Sequence, residues 1–267
     1  MTTPKSSPIT PIHLIPTNGH DLTPLLVLLD LDDTLCDYAA ARLDRLRRAF
    51  GGALTASGRS PALLDALIVE SIAINPHGVD HFPDLLRRHG ITDPAIQHEA
   101  RVWYLDNRFH GLALFPDAIP MLRQIRALAG VGGIGLVTNG PAGIQRDKID
   151  LLGLAPFIDF AVVSAEVGAE KPDPAIFAVA LKLGHATASS ACYLGDSPEI
   201  DIVGARNARI CPIWFNHRRS PWPPDLPPPD FTVHSLTAFA TLVPTLIVQI
   251  GGTSVPDPLS PRCTPMS

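Results

Sequence analysis

The sequence predicts an α/β protein with a doubly wound parallel sheet and an inserted helical domain. Five short apolar runs bounded by turn residues have the length and composition of buried strands. Between the later runs, apolar residues recur three or four positions apart, and this alternation of strand and helix builds a parallel sheet. The predicted strands are Leu25–Leu29, Ile134–Val137, Phe160–Val163, Cys192–Leu194 and Ile210–Phe215, and the predicted helices are Ile119–Leu128, Gln145–Leu152, Ala175–Leu183 and Glu199–Ala208.

The interval between residues 35 and 115 has no strand pattern and therefore predicts an all-helical insertion after the first strand. Four helix-like stretches occur in it: Ala39–Phe50, Pro61–Ile74, Asp80–His89 and Pro94–Arg108. We expect an N-terminal extension at 1–23, a core domain at 24–36 and 114–243, the helical domain at 37–113 and a C-terminal tail at 244–267. The two ends are rich in Pro, Ser or Thr, so we expect them to be disordered.

The composition limits the classes of partner. The chain has 267 residues, 46% of them hydrophobic, which suffices for a core domain that carries a smaller insertion. With 21 basic and 26 acidic residues, the net charge of -5 disfavours binding to a nucleic-acid polymer. The apolar stretch Leu236–Ile250 is shorter than the roughly 20 residues that span a bilayer. It predicts a terminal helix on the core, and we expect no membrane partner.

The cysteines and the N-terminus predict a cytoplasmic protein. None of the four cysteines forms a CxxC pair, which is typical of reduced thiols rather than of a disulfide or zinc framework. Residues 1–24 lack the uninterrupted apolar stretch of a secretion signal.

The first predicted strand leads directly into two carboxylates. Asp30 and Asp32 follow Leu29 at the carboxyl end of a buried strand, where ligands bind in open α/β sheets. A turn at this point could direct the two side chains to opposite sides of one substrate, as a nucleophile and a proton donor require. The structural alternative is a helix N-cap or a cluster of turn residues, since Asp is common in both.

Polar residues also follow the second and third strands. Thr138, Asn139 and Gly140 offer a hydroxyl and a flexible turn that could bind phosphate oxygens, although Thr-Asn-Gly is also an ordinary strand-end turn. Lys171 comes just before Pro172, at the start of a helix. Its ammonium could balance a crowded acidic site, and the alternative is a solvated loop lysine.

A second pair of carboxylates follows the fourth strand. Asp196 and Asp201 suit a hard cation, because Mg²⁺ takes oxygen ligands and typically one or two carboxylates with a substrate phosphate. The alternative is a capped helix that begins near Pro198, and both interpretations can hold together.

The joint order of these groups identifies a family. An acid pair, a hydroxyl, a lysine and a second acid pair follow successive strands, and this order resembles the four motifs of the haloacid dehalogenase superfamily over residues 25–242. The resemblance implies a Rossmann-like core and subfamily I, whose helical cap is inserted after the first motif. The stretch that includes Gln145, Lys148, Glu166 and Gly168 is similar to the branch of pyrimidine nucleotidases and sugar-phosphate phosphatases.

The resemblance implies a magnesium-dependent phosphomonoester hydrolase. Asp30 would attack phosphorus and form an aspartyl-phosphate, while Asp32 would protonate the leaving alcohol and then activate water. Mg²⁺ would be held by Asp30, Asp196 and the backbone carbonyl of Asp32, with Asp201 in support. The groups that bind the transferring phosphoryl oxygens would be Thr138, Asn139, Gly140 and Lys171.

The alternatives are a metal-independent 2-haloacid dehalogenase and a non-catalytic phosphate-binding module, but all four motif positions are present.

We expect a small phosphate ester as substrate, a nucleoside monophosphate before a sugar phosphate, and a monomer or homodimer. The leaving group would meet cap residues, for which the candidates are Tyr38, Arg42, His77, His81, Trp103, Tyr104 and Arg108. Packing between cap helices is the alternative role for each aromatic residue.

Overall fold

A six-stranded, wholly parallel sheet forms the centre of the computed structural model, which describes residues 23–74 and 81–251. The spatial order is β3-β2-β1-β4-β5-β6, which places β1 in the middle of the sheet. This is the doubly wound order in which ligands bind beyond the carboxyl ends of the central strands. The strands are β1 (Leu25–Leu29), β2 (Val131–Thr138), β3 (Phe160–Val163), β4 (Ala191–Gly195), β5 (Cys211–Phe215) and β6 (Phe231–Val233).

Helices cover both faces of the sheet and build the insertion. The insertion contains α1 (Tyr38–Ala56), α2 (Leu64–Ile74), α3 (Phe82–Arg88) and α4 (Pro94–Asp106). The core contains α5 (Ala118–Arg126), α6 (Ala142–Leu151), α7 (Ser164–Val167), α8 (Pro174–Leu183), α9 (Val203–Asn207) and α10 (Leu236–Gly251). The 3₁₀ turns are Pro61–Leu63, Ala155–Phe157 and Ala188–Ser190, and a π-helical turn, Pro198–Ile202, precedes α9.

The central strand β1 is buried on both faces, which explains its continuous run of apolar residues. Leu25, Val27 and Leu29 pack into the layer that contains α5 and α10. Leu26 and Leu28 face the opposite layer, with α8 and α9. Successive side chains of a strand point to opposite faces, so a strand between two helical layers has no polar face.

The four helices of the insertion, which we call the cap, have an apolar cluster of their own. In this cluster the ring of Phe82 contacts the rings of Phe50 and Tyr104. The chain enters and leaves the cap at adjacent points, because Cys36 forms a bridge to Leu114. Asp37 caps α1 by accepting a hydrogen bond from the backbone of Ala40 at 3.1 Å.

All five predicted strands are confirmed, and the bounds of β1 and β3 are those we predicted. The sequence analysis missed β6, which has three residues and follows a Pro-rich loop. Residues 1–22 and 252–267, on which most of the expected disordered ends fall, lie outside the described residues.

The predicted terminal helix Leu236–Ile250 forms as α10, which continues to Gly251, past the boundary that we expected at residue 243. Pro244 lies inside this helix and is exposed. The helix continues past it because Val243, Leu246 and Ile247 are buried against the core. The burial of these apolar side chains offsets the cost of the missing backbone donor at Pro244.

Candidate active site

Four of the predicted positions meet at the carboxyl edge of the sheet. Asp30 follows β1, Thr138 ends β2, and Asp196 follows β4, so the parallel sheet brings them to one edge. The backbone of Asp30 still belongs to the sheet, because its N–H donates to the carbonyl of Leu194 at 2.9 Å. Lys171 reaches the same edge from the loop between α7 and α8.

Lys171 is the buried centre of this arrangement. Its Nζ lies 2.6 Å from Oδ1 of Asp30 and 2.7 Å from Oδ1 of Asp201. The third donor goes to the hydroxyl of Tyr193 at 2.8 Å. Burial alone would lower the pKa of Lys171, but the two carboxylates outweigh it and raise this pKa above its usual value. The side chain is therefore a permanent cation that fixes both carboxylates.

The turn after β2 holds Lys171 in place. The side-chain amide of Asn139 donates to the backbone carbonyl of Lys171 and accepts from its N–H, both at 2.9 Å. Gly140 has a φ of 138°, a conformation that L side chains rarely adopt. Its N–H donates to Oγ of Ser164 at 2.9 Å, so this predicted phosphate donor is already engaged within the protein.

Three carboxylates form a cluster that fits a hard cation. Asp30, Asp196 and Asp201 each offer an oxygen within 4.8 Å of the others. Burial first, and then the charges of neighbouring carboxylates, raises the pKa of Asp30 to about 7 and that of Asp196 to about 9. When all three carboxylates are ionised, the cluster carries more negative charge than Lys171 balances. Oxygen ligands with excess negative charge match the donor set of Mg²⁺.

The oxygens of Asp201 are largely occupied by the protein. Oδ1 accepts from Lys171 and from the hydroxyl of Tyr193, the latter at 3.0 Å. Oδ2 accepts from the N–H of Ser197 at 2.9 Å. This arrangement suits the supporting role predicted for Asp201, with Asp30 and Asp196 as the carboxylates that face a cation.

Asp32 occupies a different environment from Asp30. Both of its carboxylate oxygens accept from Nζ of Lys148, at 2.8 and 2.7 Å. Gln145 donates to Oδ2 of Asp32 at 3.2 Å and to the hydroxyl of Thr138 at 2.5 Å. Asp30 contacts Lys171 and Asp32 contacts Lys148, so the turn after β1 separates the two carboxylates between two cations.

Sequence reasoning assigned no role to Lys148, Gln145 or Tyr193. Gln145 and Lys148 lie three residues apart on the buried face of α6, and each is at most 3% exposed. A lysine on the apolar face of a predicted helix was the available signal, because a buried lysine requires a partner. Tyr193 gave no comparable signal, since an aromatic residue is ordinary in a strand.

The structure distributes the predicted cap residues over different environments. Tyr38 approaches the site, with its ring centroid 4.1 Å from Nζ of Lys148. Arg42 is buried on α1. Tyr104 and His81 pack on the ring of Phe82 inside the cap, Trp103 packs on His110, and Arg108 is exposed at the end of α4. His77 lies outside the described residues.

Comparison with known families shows to which family the chain belongs. A family model for haloacid dehalogenase-like hydrolases matches residues 25–209, which is more than half of the chain. The chain belongs to this family. The resemblance and the fold class that we predicted are therefore confirmed.

The relatives of this haloacid dehalogenase-like hydrolase include phosphatases. A glyceraldehyde 3-phosphate phosphatase of Methanopyrus kandleri is 35% identical over 194 residues, which cover 70% of this chain and 82% of the relative. A pyrimidine 5'-nucleotidase of Escherichia coli, YjjG, is 36% identical over 122 residues, which cover 45% of this chain and 52% of the relative. The predicted enzyme class, a phosphoric monoester hydrolase of this superfamily, is confirmed at this level.

Solved structures of the superfamily have the same fold. The structure of a 2-haloacid dehalogenase from Pseudomonas syringae matches with a TM-score of 0.52 and 30% identity, over 83% of this chain and 99% of that one. Among the helices at residues 23–74 and 81–251, none is long and apolar enough to cross a membrane.

Proposed function

We propose that this hydrolase cleaves small phosphomonoesters with Mg²⁺ through an aspartyl-phosphate on Asp30. The observation that carries the proposal is the separation of two carboxylates two residues apart. Asp30 lies with Lys171 and the acidic cluster, whereas Asp32 is held by Lys148. A double displacement needs one group that attacks phosphorus and another that handles the proton of the leaving group.

In the first step, a carboxylate oxygen of Asp30 attacks phosphorus while the bond to the leaving oxygen breaks. The leaving alkoxide takes a proton from Asp32 and departs as an alcohol. In the second step, Asp32 removes a proton from water, which attacks the aspartyl-phosphate and releases phosphate. Asp30 and the protonated Asp32 are then restored, so each turnover consumes one water and no other reactant.

The transferring oxygens would be bound by the hydroxyl of Thr138, the backbone amide of Asn139 and the positive charge of Lys171, whose three N–H donors are engaged by Asp30, Asp201 and Tyr193 before substrate binds. Asp30, Asp196 and the carbonyl of Asp32 would hold Mg²⁺, with Asp201 behind them. When bound, the cation supplies positive charge that lets an anionic nucleophile approach an anionic phosphate. Lys171 stabilises the ionised form of Asp30 and orients its side chain, because it donates to Oδ1 at 2.6 Å.

The substrate class follows from the cap and from the relatives. The cap joins the core beside the site, where Tyr38 contacts Lys148. A cap that closes over the site would leave little room for a polymer, so we expect a small phosphorylated metabolite. The names of the two phosphatase relatives mention a triose phosphate and a pyrimidine nucleotide. We accordingly propose a sugar phosphate or a nucleoside monophosphate. A monomer or homodimer and a cytoplasmic location stay predictions.

The test is hydrolysis of p-nitrophenyl phosphate, with Mg²⁺ and with excess EDTA, followed by a panel of sugar phosphates, nucleotides and phosphopeptides. We expect turnover only with the metal and a preference for small metabolites. Chloride release from 2-chloropropionate without a metal would instead support the dehalogenase alternative. An absence of both activities would support a non-catalytic module, and a preference for phosphopeptides would contradict the proposed substrate class.

A further inference from the structure

Arg45 is a buried cation at the junction of cap and core that the proposed reaction does not use. It lies on α1 and is 3% exposed. Its Nε donates to the carbonyl of Ala41 at 3.3 Å, and Nη1 donates to the carbonyl of Arg108. Nη2 is buried and has no hydrogen-bond partner within residues 23–74 and 81–251. A buried guanidinium with an unused donor is costly, so its environment requires an explanation.

The charge of Arg45 is also unbalanced in its surroundings. The carboxylates of the described ranges lie outside ion-pairing distance of its guanidinium, whereas the neighbouring Lys148 has Asp32 at 2.7 Å. Aromatic faces flank Arg45 instead. Its Cζ lies 5.3 Å from the ring centroid of Tyr38 and 5.2 Å from that of Tyr104. Cation–π contacts offset part of the cost of burial but use no N–H donor.

The side chain of Arg45 points toward the active site. Long side chains on a helix run back toward its N-terminus, and the hydrogen bond to Ala41 shows this course for Arg45. The N-terminus of α1 is where the cap joins the core. There the ring of Tyr38 contacts both Arg45 and Lys148, and Lys148 holds the predicted proton donor, Asp32. Through the ring of Tyr38, Arg45 thus lies next to Lys148, the cation that holds Asp32, and on the cap side of it.

We propose that Arg45, together with Lys148 and the ring of Tyr38, forms a subsite for an anionic group on the leaving alcohol. That group is a carboxylate or a second phosphate. It would supply the acceptor that Nη2 lacks. It would also balance the remaining positive charge, because the two buried cations Arg45 and Lys148 face one carboxylate, that of Asp32. The inference rests on the proposed phosphomonoesterase function. Within that substrate class it favours phosphate esters whose alcohol carries a second anionic group, such as sugar bisphosphates, over nucleoside monophosphates.

The test compares phosphate esters that differ only in the second anion. One pair is 3-phosphoglycerate and glycerol 3-phosphate. The other is propane-1,3-diol bisphosphate and its monophosphate. In each pair we call the ester with the second anionic group the anionic member and the ester without it the neutral member. We expect kcat/KM of the wild type to be at least about tenfold higher for the anionic member of at least one pair, because one charged hydrogen bond contributes about that factor. The pair that shows the preference tells a carboxylate subsite from a phosphate subsite.

Arg45→Met should remove this preference and change kcat/KM for the neutral member by less than about threefold. The matched control is Arg48→Met on the same helix, because Arg48 is 54% exposed and pairs with Asp44 on the surface. That variant should keep the preference. Arg45→Lys retains the positive charge and should keep part of the preference for the anionic member. This variant replaces Arg45→Met in the test if Arg45→Met does not fold.

Several results would overturn the subsite: a wild-type preference for the neutral members, equal losses on both members in Arg45→Met, or loss of the preference in Arg48→Met. The subsite is also separable from the proposed reaction. Calorimetry on Asp30→Asn with Mg²⁺ measures binding without turnover, and tighter binding of 3-phosphoglycerate than of glycerol 3-phosphate would support the subsite even in a protein without phosphatase activity. Equal binding of these two esters and of the diol pair would count against it.

Discussion

At the scale of single residues, the two cations explain how neighbouring carboxylates could have the different roles that we propose for them. Lys171 is bonded to Asp30 and stabilises its charge, yet burial and the nearby carboxylates still raise the pKa of Asp30 to about 7. Lys148 binds both oxygens of Asp32 outside the acidic cluster. Two groups two residues apart therefore occupy electrostatically different positions, as an attacking and a proton-transferring group must.

Replacement of Asp30 tests the nucleophile. Asp30→Asn should reduce kcat by at least about a thousandfold, since an amide has nearly the same shape but does not attack phosphorus. The circular dichroism spectrum should stay unchanged. The matched control is Asp33→Asn, because Asp33 accepts from the backbone of Ala39 and from Arg218 and contacts no member of the acidic cluster. Substantial activity in Asp30→Asn would eliminate Asp30 as the nucleophile.

Replacement of Asp32 tests the proton donor through the leaving group. Asp32→Asn should reduce kcat/KM for alkyl phosphates by about a hundredfold or more, because a poor leaving group depends on protonation. Phenyl phosphates with activated leaving groups should lose much less. Rates for a series of esters of increasing alcohol acidity give this comparison directly, and a uniform loss across the series would contradict the role.

At the scale of elements, the end of β4 and the π-helical turn after it form one unit. Gly195 is the last residue of β4, and the turn folds Asp201 back against it. A Cβ added at Gly195 would lie 2.4 Å from Cγ of Asp201, far inside van der Waals contact. Glycine is therefore needed here for close approach. This contact fixes the carboxylate that Lys171 and Tyr193 share.

Gly195→Ala should displace Asp201 and disturb Lys171 behind it. We expect kcat/KM to fall by about tenfold or more and the free energy of unfolding to fall by about 1–3 kcal/mol, as in other overpacked sites. Gly143→Ala is the control, because a Cβ at Gly143 has nothing within 4 Å. It should leave activity unchanged. Equal activities of the two variants would show that the close approach of Asp201 to Gly195 does not affect catalysis.

At the scale of the whole molecule, the acidic cluster opposes folding when no metal is bound. The pKa values of Asp30 and Asp196 are raised above 3.8 to about 7 and about 9. The folded protein thus binds protons more tightly than the unfolded chain at these groups. Their contribution to stability is fully present below about pH 4 and is lost as the pH rises through these two values.

The metal-free wild type should therefore become less stable relative to Asp196→Asn between pH 5 and pH 9. Urea unfolding in EDTA at several pH values measures this difference, which should exceed about 1 kcal/mol at the upper end. Addition of Mg²⁺ at pH 8 should stabilise the wild type more than the variant. A difference that is constant with pH would show that Asp196 does not carry the raised pKa.

The order of polar residues after apolar runs was enough to predict the fold and the edge of the sheet where the site lies. Parallel strands end at one edge, so residues such as Asp30, Thr138 and Asp196 must meet if the strands form. Their strands are continuous apolar runs, which local pattern reveals. The short β6 has three residues and no such pattern, whereas the apolar run Leu236–Ile250 was enough to predict α10 as a terminal helix across Pro244.

Tertiary structure alone decided which polar groups pair. Lys148 and Asp32 are 116 residues apart, and Lys171 reaches Asp30 across 141 residues. Such pairs depend on the packing of α6 and of the loop before α8 against the sheet, which no local pattern encodes. The place of Tyr38 over Lys148 follows from the docking of the cap on the core. Side-chain position along a strand is a local property, whereas a partner across the fold exists only after the layers have packed.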